Sequence, residues 1–269
     1  MGALLEKPFG IIFDMDGVMT DSHELIIEAP IKAAKAMGIS LSEAQQHQCR
    51  EIMRPDVSGN LTGKAPWFLR LFAILRREKN ILPFMVMLYN VAKTIGLPFK
   101  KRIEFMKTSG NIYVEEIAIA KFFPGIEGAL RDLRQAHSNM LHLGILSSGP
   151  TGHILDRFTN NPRILEFFDS EDDIIGSDRV KHPKPSPEGI LLLASRWQLP
   201  PDRIVMVGDQ WFDIEAGKRA GCMTVGVLSG FIPRADMEAC EPDLIFAGVP
   251  ELVEHLEDVL GQLGKEKKS

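Results

Sequence analysis

The feature that most constrains the fold is a recurrence of short, unbroken apolar runs, each stopping at Gly, Asp or Ser, with helix-like segments between them. Runs without polar alternation suit strands buried on both faces, and such strands belong to parallel sheets covered by helices. Phe9–Phe13, Leu141–Leu146, Ile204–Val207 and Thr224–Leu228 read as strands of this kind, with a weaker one at Leu244–Phe246. Helical patterning occupies Ile126–Ala136 after Pro124-Gly125, then Gly152–Phe158, Pro187–Trp197, Ile214–Ala220 before Gly221, and Leu252–Leu263. This alternation predicts an α/β fold, a doubly wound, Rossmann-like parallel sheet with right-handed crossovers.

One stretch breaks the alternation. From about Ser22 to Lys121 there is no convincing strand, only helical patterning such as Glu24–Met37 and Glu43–Met53. A structureless loop of that length does not fit a compact domain, so an inserted all-helical cap domain is expected. The expected division is a core from 1–21 and 123–269 and a cap from 22–122, joined by two linkers. The charged tail Lys265–Ser269 is expected to fray.

Bulk properties narrow the class. A formal net charge of -5 gives no basic footprint for nucleic acid. No apolar run approaches the ~18 residues of a transmembrane segment; the longest suspect, Ile81–Ala92, is interrupted by Pro83 and Asn90. Glu6 arrives too early for a secretory signal. Cys49, Cys222 and Cys240 lie far apart with no C-x-x-C spacing, which suits a reducing, cytoplasmic setting. No pattern specifies an oligomer.

In open α/β sheets, ligands gather beyond the carboxyl ends of the strands. The first predicted strand delivers Asp14 and Asp16 there, followed at once by Gly17. The second delivers Ser147, Ser148 and Gly149; then comes Lys184 in KHPKPSPEG; the next strand gives Gly208-Asp209 and, four residues on, Asp213. Each element is common alone, but the ordered set at successive strand ends is not. Carboxylates as close as Asp14 and Asp16 repel and raise one another's pKa unless a cation joins them. Hard oxygen donors without His or Cys, beside a lysine, describe a Mg²⁺ site built to meet phosphate. Ser147 can donate its hydroxyl, and the N–H groups of Ser148 and Gly149 can form an anion-holding nest before the following helix.

This ordered set, D-x-D-G at Asp14–Gly17, a strand ending in Ser147, Lys184 and G-D-x-x-x-D at Gly208–Asp213, resembles the haloacid dehalogenase-like hydrolase superfamily. The resemblance covers residues 8–18 and about 124–250 and points to the phosphoglycolate phosphatase and β-phosphoglucomutase branch, with its helical cap. It implies that Asp14 is the nucleophile that becomes an aspartyl phosphate. Asp16 is then the general acid and later the base that activates water. The carboxylates of Asp14 and Asp209 and the backbone carbonyl of Asp16 would hold Mg²⁺, with Asp213 in support. Ser147 and Lys184 would bind the transferring phosphoryl group. The substrate so implied is a small phosphorylated metabolite.

Two other readings compete. DMDGVMTDS is similar to the opening motif of β-phosphoglucomutases, so a phosphomutase is the alternative, although CREIMRPDVSGNLTG lacks that branch's cap pattern. A non-catalytic module binding a phospho-ligand or anionic lipid is disfavoured because every motif residue is intact. C–P bond cleavage is disfavoured because phosphonoacetaldehyde hydrolases lack an acid at the position of Asp16.

The segment 67–102 carries eight basic residues, Arg70, Arg76, Arg77, Lys79, Lys93, Lys100, Lys101 and Arg102, against Glu78 alone. Packed around Trp67, Leu71 and Leu75, it reads as cap helices with solvated basic faces, or as a surface for an anionic partner. His23, His182, Trp211 and Phe212 are further candidates for substrate contact or for the floor of the site.

Overall fold

All five positions of Phe9–Phe13 are buried, as a strand covered on both faces requires. This strand, β1, lies inside a six-stranded sheet with β4 (Leu141–Leu146), β5 (Ile174–Ile175), β6 (Ile204–Gly208), β7 (Met223–Val227) and β8 (Leu244–Phe246). The strand order is β5-β4-β1-β6-β7-β8, and every neighbouring pair is parallel. The computed structural model describes residues 7–54, 66, 69, 82–230 and 232–263.

Period-two alternation along β1 divides the core. Ile11 and Phe13 join a cluster with Leu130, Leu133 and Phe158, while Ile12 joins Trp197, Met206 and Ala216 in a second. Phe13 is in register with Ile145 on one side and Val207 on the other. Asp14, Ser147 and Asp209 therefore leave the sheet on one rim.

The chain divides into two compact units, one of Met1–Asp21 with Lys121–Ser269 and one of Ser22–Ala120. In the first, a two-stranded antiparallel ribbon pairs β2 (Thr20–Asp21) with β3 (Lys121–Phe122). The line drawn after 122 from sequence thus differs by two residues, because Lys121 and Phe122 pair with β2. Its helices include α5 (Ile126–His137), α6 (Thr151–Phe158), α7 (Pro162–Leu165), α8 (Glu188–Trp197) and α9 (Trp211–Ala220). Beyond them lie α10 (Arg234–Ala239), α11 (Val249–Glu254) and α12 (Leu256–Leu260). The single helix expected over Leu252–Leu263 is two short ones meeting at His255. Helix α9 starts three residues before the expected Ile214, where Asp213 Oδ2 accepts the Gln210 N–H at 3.0 Å.

The second unit holds α1 (His23–Ala36), α2 (Glu43–Met53), α3 (Leu82–Thr94) and α4 (Phe99–Ile117), and no strand among its described residues. Ser42 and Gln45 cap α2 reciprocally, each side chain meeting the other's backbone N–H. Its core gathers Ala33, Cys49, Met53, Leu88, Val91 and Phe105. Of the basic segment, Arg102 donates to the Leu97 carbonyl at 2.7 Å and to the Tyr89 hydroxyl at 3.1 Å. Trp67, Arg70, Leu71, Leu75, Arg76, Arg77 and Lys79 lie outside the described residues. No described helix is long and apolar enough to cross a membrane.

Candidate active site

The first unit builds the rim from β1 outward. Asp14 extends the ladder by one residue, its N–H donating to the Val207 carbonyl at 2.9 Å. The chain then folds back on itself: the N–H groups of Met19 and Thr20 and the Thr20 hydroxyl all donate to the Met15 carbonyl. Gly17 takes φ +82°, and a Cβ there would lie 2.5 Å from Asp209 Oδ2. Only glycine lets this turn come so close to the end of β6.

Asp14, Asp209 and Asp213 are all buried and offer carboxylate oxygens within 4.8 Å of one another. Lys184 reaches into this group. Its ammonium lies 2.7 Å from Asp14 Oδ1, 2.6 Å from Asp213 Oδ1 and 2.9 Å from the Leu146 carbonyl, so its three protons have three acceptors. Both expected roles of Lys184 meet here in altered form. It does offset the charge of Asp14, but its donors are already engaged by the protein. The Phe212 ring centroid lies 5.4 Å from the ammonium, and Trp211 meets Phe212 edge-on, so this pair backs Lys184.

Burial, the largest influence, pushes the Asp14 carboxyl up to about 7, while Lys184 pulls it down and Asp213 and Asp16 push it further up. Asp213 is likewise raised by burial against the pull of Lys184. Burial also acts to lower the Lys184 pKa, but the two carboxylates outweigh it and keep the lysine charged. Asp209, completely buried, accepts from Gln210 Nε2 at 3.0 Å.

Asp16 is held by a residue that sequence reasoning missed. Arg157, on α6, donates from Nη2 to Asp16 Oδ2 at 3.2 Å and sets Nη1 3.1 Å from Oδ1. With that pair neutral, three carboxyl groups face one ammonium, an excess of acidic oxygens in a buried pocket. Such a donor set, hard and free of His and Cys, fits one divalent cation of the Mg²⁺ class.

At the expected anion nest, one of the two N–H groups has a partner within the turn. Gly149 N–H already donates to Ser147 Oγ at 3.1 Å, closing the turn on itself. At the start of α6, the Thr151 N–H and hydroxyl both donate to Asp178 Oδ1, at 2.6 and 2.8 Å. The helix N-terminus is thus capped by a carboxylate from a distant segment, which no local sequence signal announces. His182 is exposed and bonded to Glu188 at 2.9 Å, and His23 opens α1 in the other unit.

A parallel sheet whose strand ends present three buried carboxyl groups and a buried lysine fits a class of α/β hydrolytic enzymes. A family model described as haloacid dehalogenase-like hydrolase matches residues 11–227, and the chain belongs to that family. A phosphoglycolate phosphatase of Salmonella paratyphi A is 28% identical over 258 residues, covering 93% of this chain and 92% of the relative. One of Escherichia coli O157:H7 is 27% identical over 253 residues, covering 91% and 90%. Among solved structures, a haloacid dehalogenase-like family hydrolase of Streptococcus pneumoniae superposes with TM-score 0.63 at 23% identity, covering 93% of this chain and 98% of that one. A Thermotoga maritima protein provisionally named a β-phosphoglucomutase superposes with TM-score 0.64 at 24% identity, covering 93% and 99%.

Proposed function

We propose that this chain is a Mg²⁺-dependent phosphatase that hydrolyses a small phosphorylated metabolite through an aspartyl phosphate on Asp14. The observation that carries the reading is the buried group of Asp14, Asp209 and Asp213 with Lys184 shared between two of them. The phosphoglycolate phosphatases similar over nine-tenths of the chain support the phosphatase chemistry. A cytoplasmic setting accompanies this proposal.

Asp14, Asp209 and the Asp16 carbonyl would hold the cation, with Asp213 close by. When bound, it supplies positive charge against the phosphoryl oxygens. Lys184 occupies Oδ1 of Asp14, which leaves Oδ2 to attack phosphorus. As that P–O bond forms, the ester P–O bond breaks and the departing oxygen takes a proton from Asp16. Water then attacks phosphorus, Asp16 accepts its proton, and the bond to Asp14 breaks to release phosphate. Ser147 donates its hydroxyl to a phosphoryl oxygen, and the Ser148 N–H is assigned to the same group. Gly149 contributes there only by exchanging its bond to Ser147.

Phosphate release from a panel of glycolate, sugar, nucleotide and lipid-headgroup phosphates, with Mg²⁺ and with chelator, tests the reading. Mg²⁺-dependent release that vanishes in Asp14→Asn supports it. An isomerised sugar phosphate with no free phosphate would instead establish the mutase, the reading favoured by the likeness of DMDGVMTDS to the β-phosphoglucomutase opening motif. No turnover of any ester would leave the phospho-ligand-binding reading.

A further inference from the structure

We propose that Arg157 is the positioning residue for Asp16, fixing its carboxyl so that one face serves the leaving oxygen. This inference rests on the phosphatase reading above. Three observations carry it. The first is the two-point contact: Nη2 of the planar guanidinium donates to Asp16 Oδ2, while Nη1 pairs by charge with Oδ1, 3.1 Å away. A fork of this kind fixes both the position and the plane of a carboxylate, which a single ammonium cannot do.

The second is the direction of approach. The Arg157 side chain is 2% exposed while that of Asp16 is 20% exposed, so the guanidinium comes from inside and the carboxylate is the member facing outward. Each carboxylate oxygen accepts along two directions. The hydrogen bond from Nη2 takes one accepting direction of Oδ2 and leaves the other for a leaving oxygen or a water. The third is the backbone. Asp16 bridges to Thr20, and Gly17 N–H donates to the Thr20 carbonyl at 2.9 Å. The turn therefore fixes the Asp16 main chain but not its side-chain torsions; Arg157 supplies that remaining restraint.

The site thus has a division of labour between its two buried cations. Lys184 serves the carboxylate that meets phosphorus, and Arg157 serves the one that moves the proton. Losing Arg157 should harm the step that needs the proton and spare phosphoryl transfer to Asp14 when no proton is needed. A p-nitrophenolate leaves without protonation, whereas an alkoxide does not.

The test compares kcat/KM, which reports the steps through loss of the leaving group, for p-nitrophenyl phosphate and for the alkyl ester that the wild-type chain cleaves fastest. Arg157→Met should lower the alkyl value about tenfold or more beyond any loss on the aryl ester, a share of what general acid catalysis contributes. Arg157→Lys should recover part of the alkyl activity. In an Asp16→Asn background, adding Arg157→Met should leave the alkyl-to-aryl ratio unchanged, because the group it positions is gone. Equal losses on both esters with a lowered melting temperature would make Arg157 a structural residue and overturn the proposal. Should Arg157→Met not fold, Arg157→Lys is read by the same ratio, and an unchanged ratio there overturns it equally. A wild-type chain that cleaves no ester would remove the phosphatase reading and this inference with it, whereas active wild type with an unmoved ratio removes this inference alone.

Discussion

Lys184 and Arg219 each lie 2.7 Å from a carboxylate oxygen, Lys184 from Asp14 at the sheet rim and Arg219 from Glu215 one turn away on α9. The distances match and the surroundings do not. The Lys184 side chain is 1% exposed, while that of Arg219 is 51% exposed. On the helix surface, water competes for both partners and the pair is worth little. At the rim, two charges removed from water depend on each other, and removing one strands the rest. The helix pair decorates a fold that would form without it; the rim group is a site the fold is obliged to carry.

The sharpest way to break this contrast is Asp14→Asn, which should reduce phosphate release by a factor on the order of 10⁴ or more while leaving the protein folded. Residual turnover near the wild-type rate would remove Asp14 from the chemistry. Next comes Lys184→Met. It leaves Asp14 and Asp213 facing each other without their cation, at a cost of about 3–5 kcal/mol in denaturant unfolding, with activity lost as well. A variant as stable as wild type would show that the rim pair behaves like a surface pair.

A smaller effect follows from Asp14 itself. Its carboxyl is raised from the ordinary 3.8 to about 7, so its protonated form favours the fold. That contribution is fully present below the unfolded value and is lost as pH rises through about 7. Without a divalent ion, the chain should therefore lose melting temperature between pH 5 and 8. Mg²⁺ competes with the proton and should stabilise more at pH 8 than at pH 5. Melts with Mg²⁺ and with chelator at both pH values check this, and an equal Mg²⁺ effect at both would contradict it. Smallest of all, Arg219→Ala should cost about 0.3–0.5 kcal/mol or less and leave activity untouched, measured by the same melts and assays.

The sheet was legible because strands buried on both faces leave apolar runs; Phe9–Phe13 and Leu141–Leu146 have the same bounds in sequence and structure. Two-residue strands such as Ile174–Ile175 leave no run to read. Asp14, Lys184, Asp209 and Asp213 could be grouped from sequence because each follows a strand or opens a helix in a fixed order. Arg157 could not, since one arginine on a short amphipathic helix reads as a solvated position until tertiary contacts show it buried. The bond that closes the turn at Ser147–Gly149 was hidden for a related reason. The Gly149 N–H is taken up through a serine rotamer and the start of α6 through Asp178, far along the chain, and neither is written locally.

The ribbon of Thr20–Asp21 against Lys121–Phe122 makes the chain's exit from the sheet unit and its return a single doorway. Topologically, everything between is the loop of one hairpin, however much structure it contains. Closure entropy grows only with the logarithm of loop length, so the sheet unit is nearly indifferent to what hangs there. The chain is accordingly suited to grafting: a foreign helical insert, or a tight turn joining Asp21 to Lys121, should leave the order of the parallel strands and the acidic rim as they are.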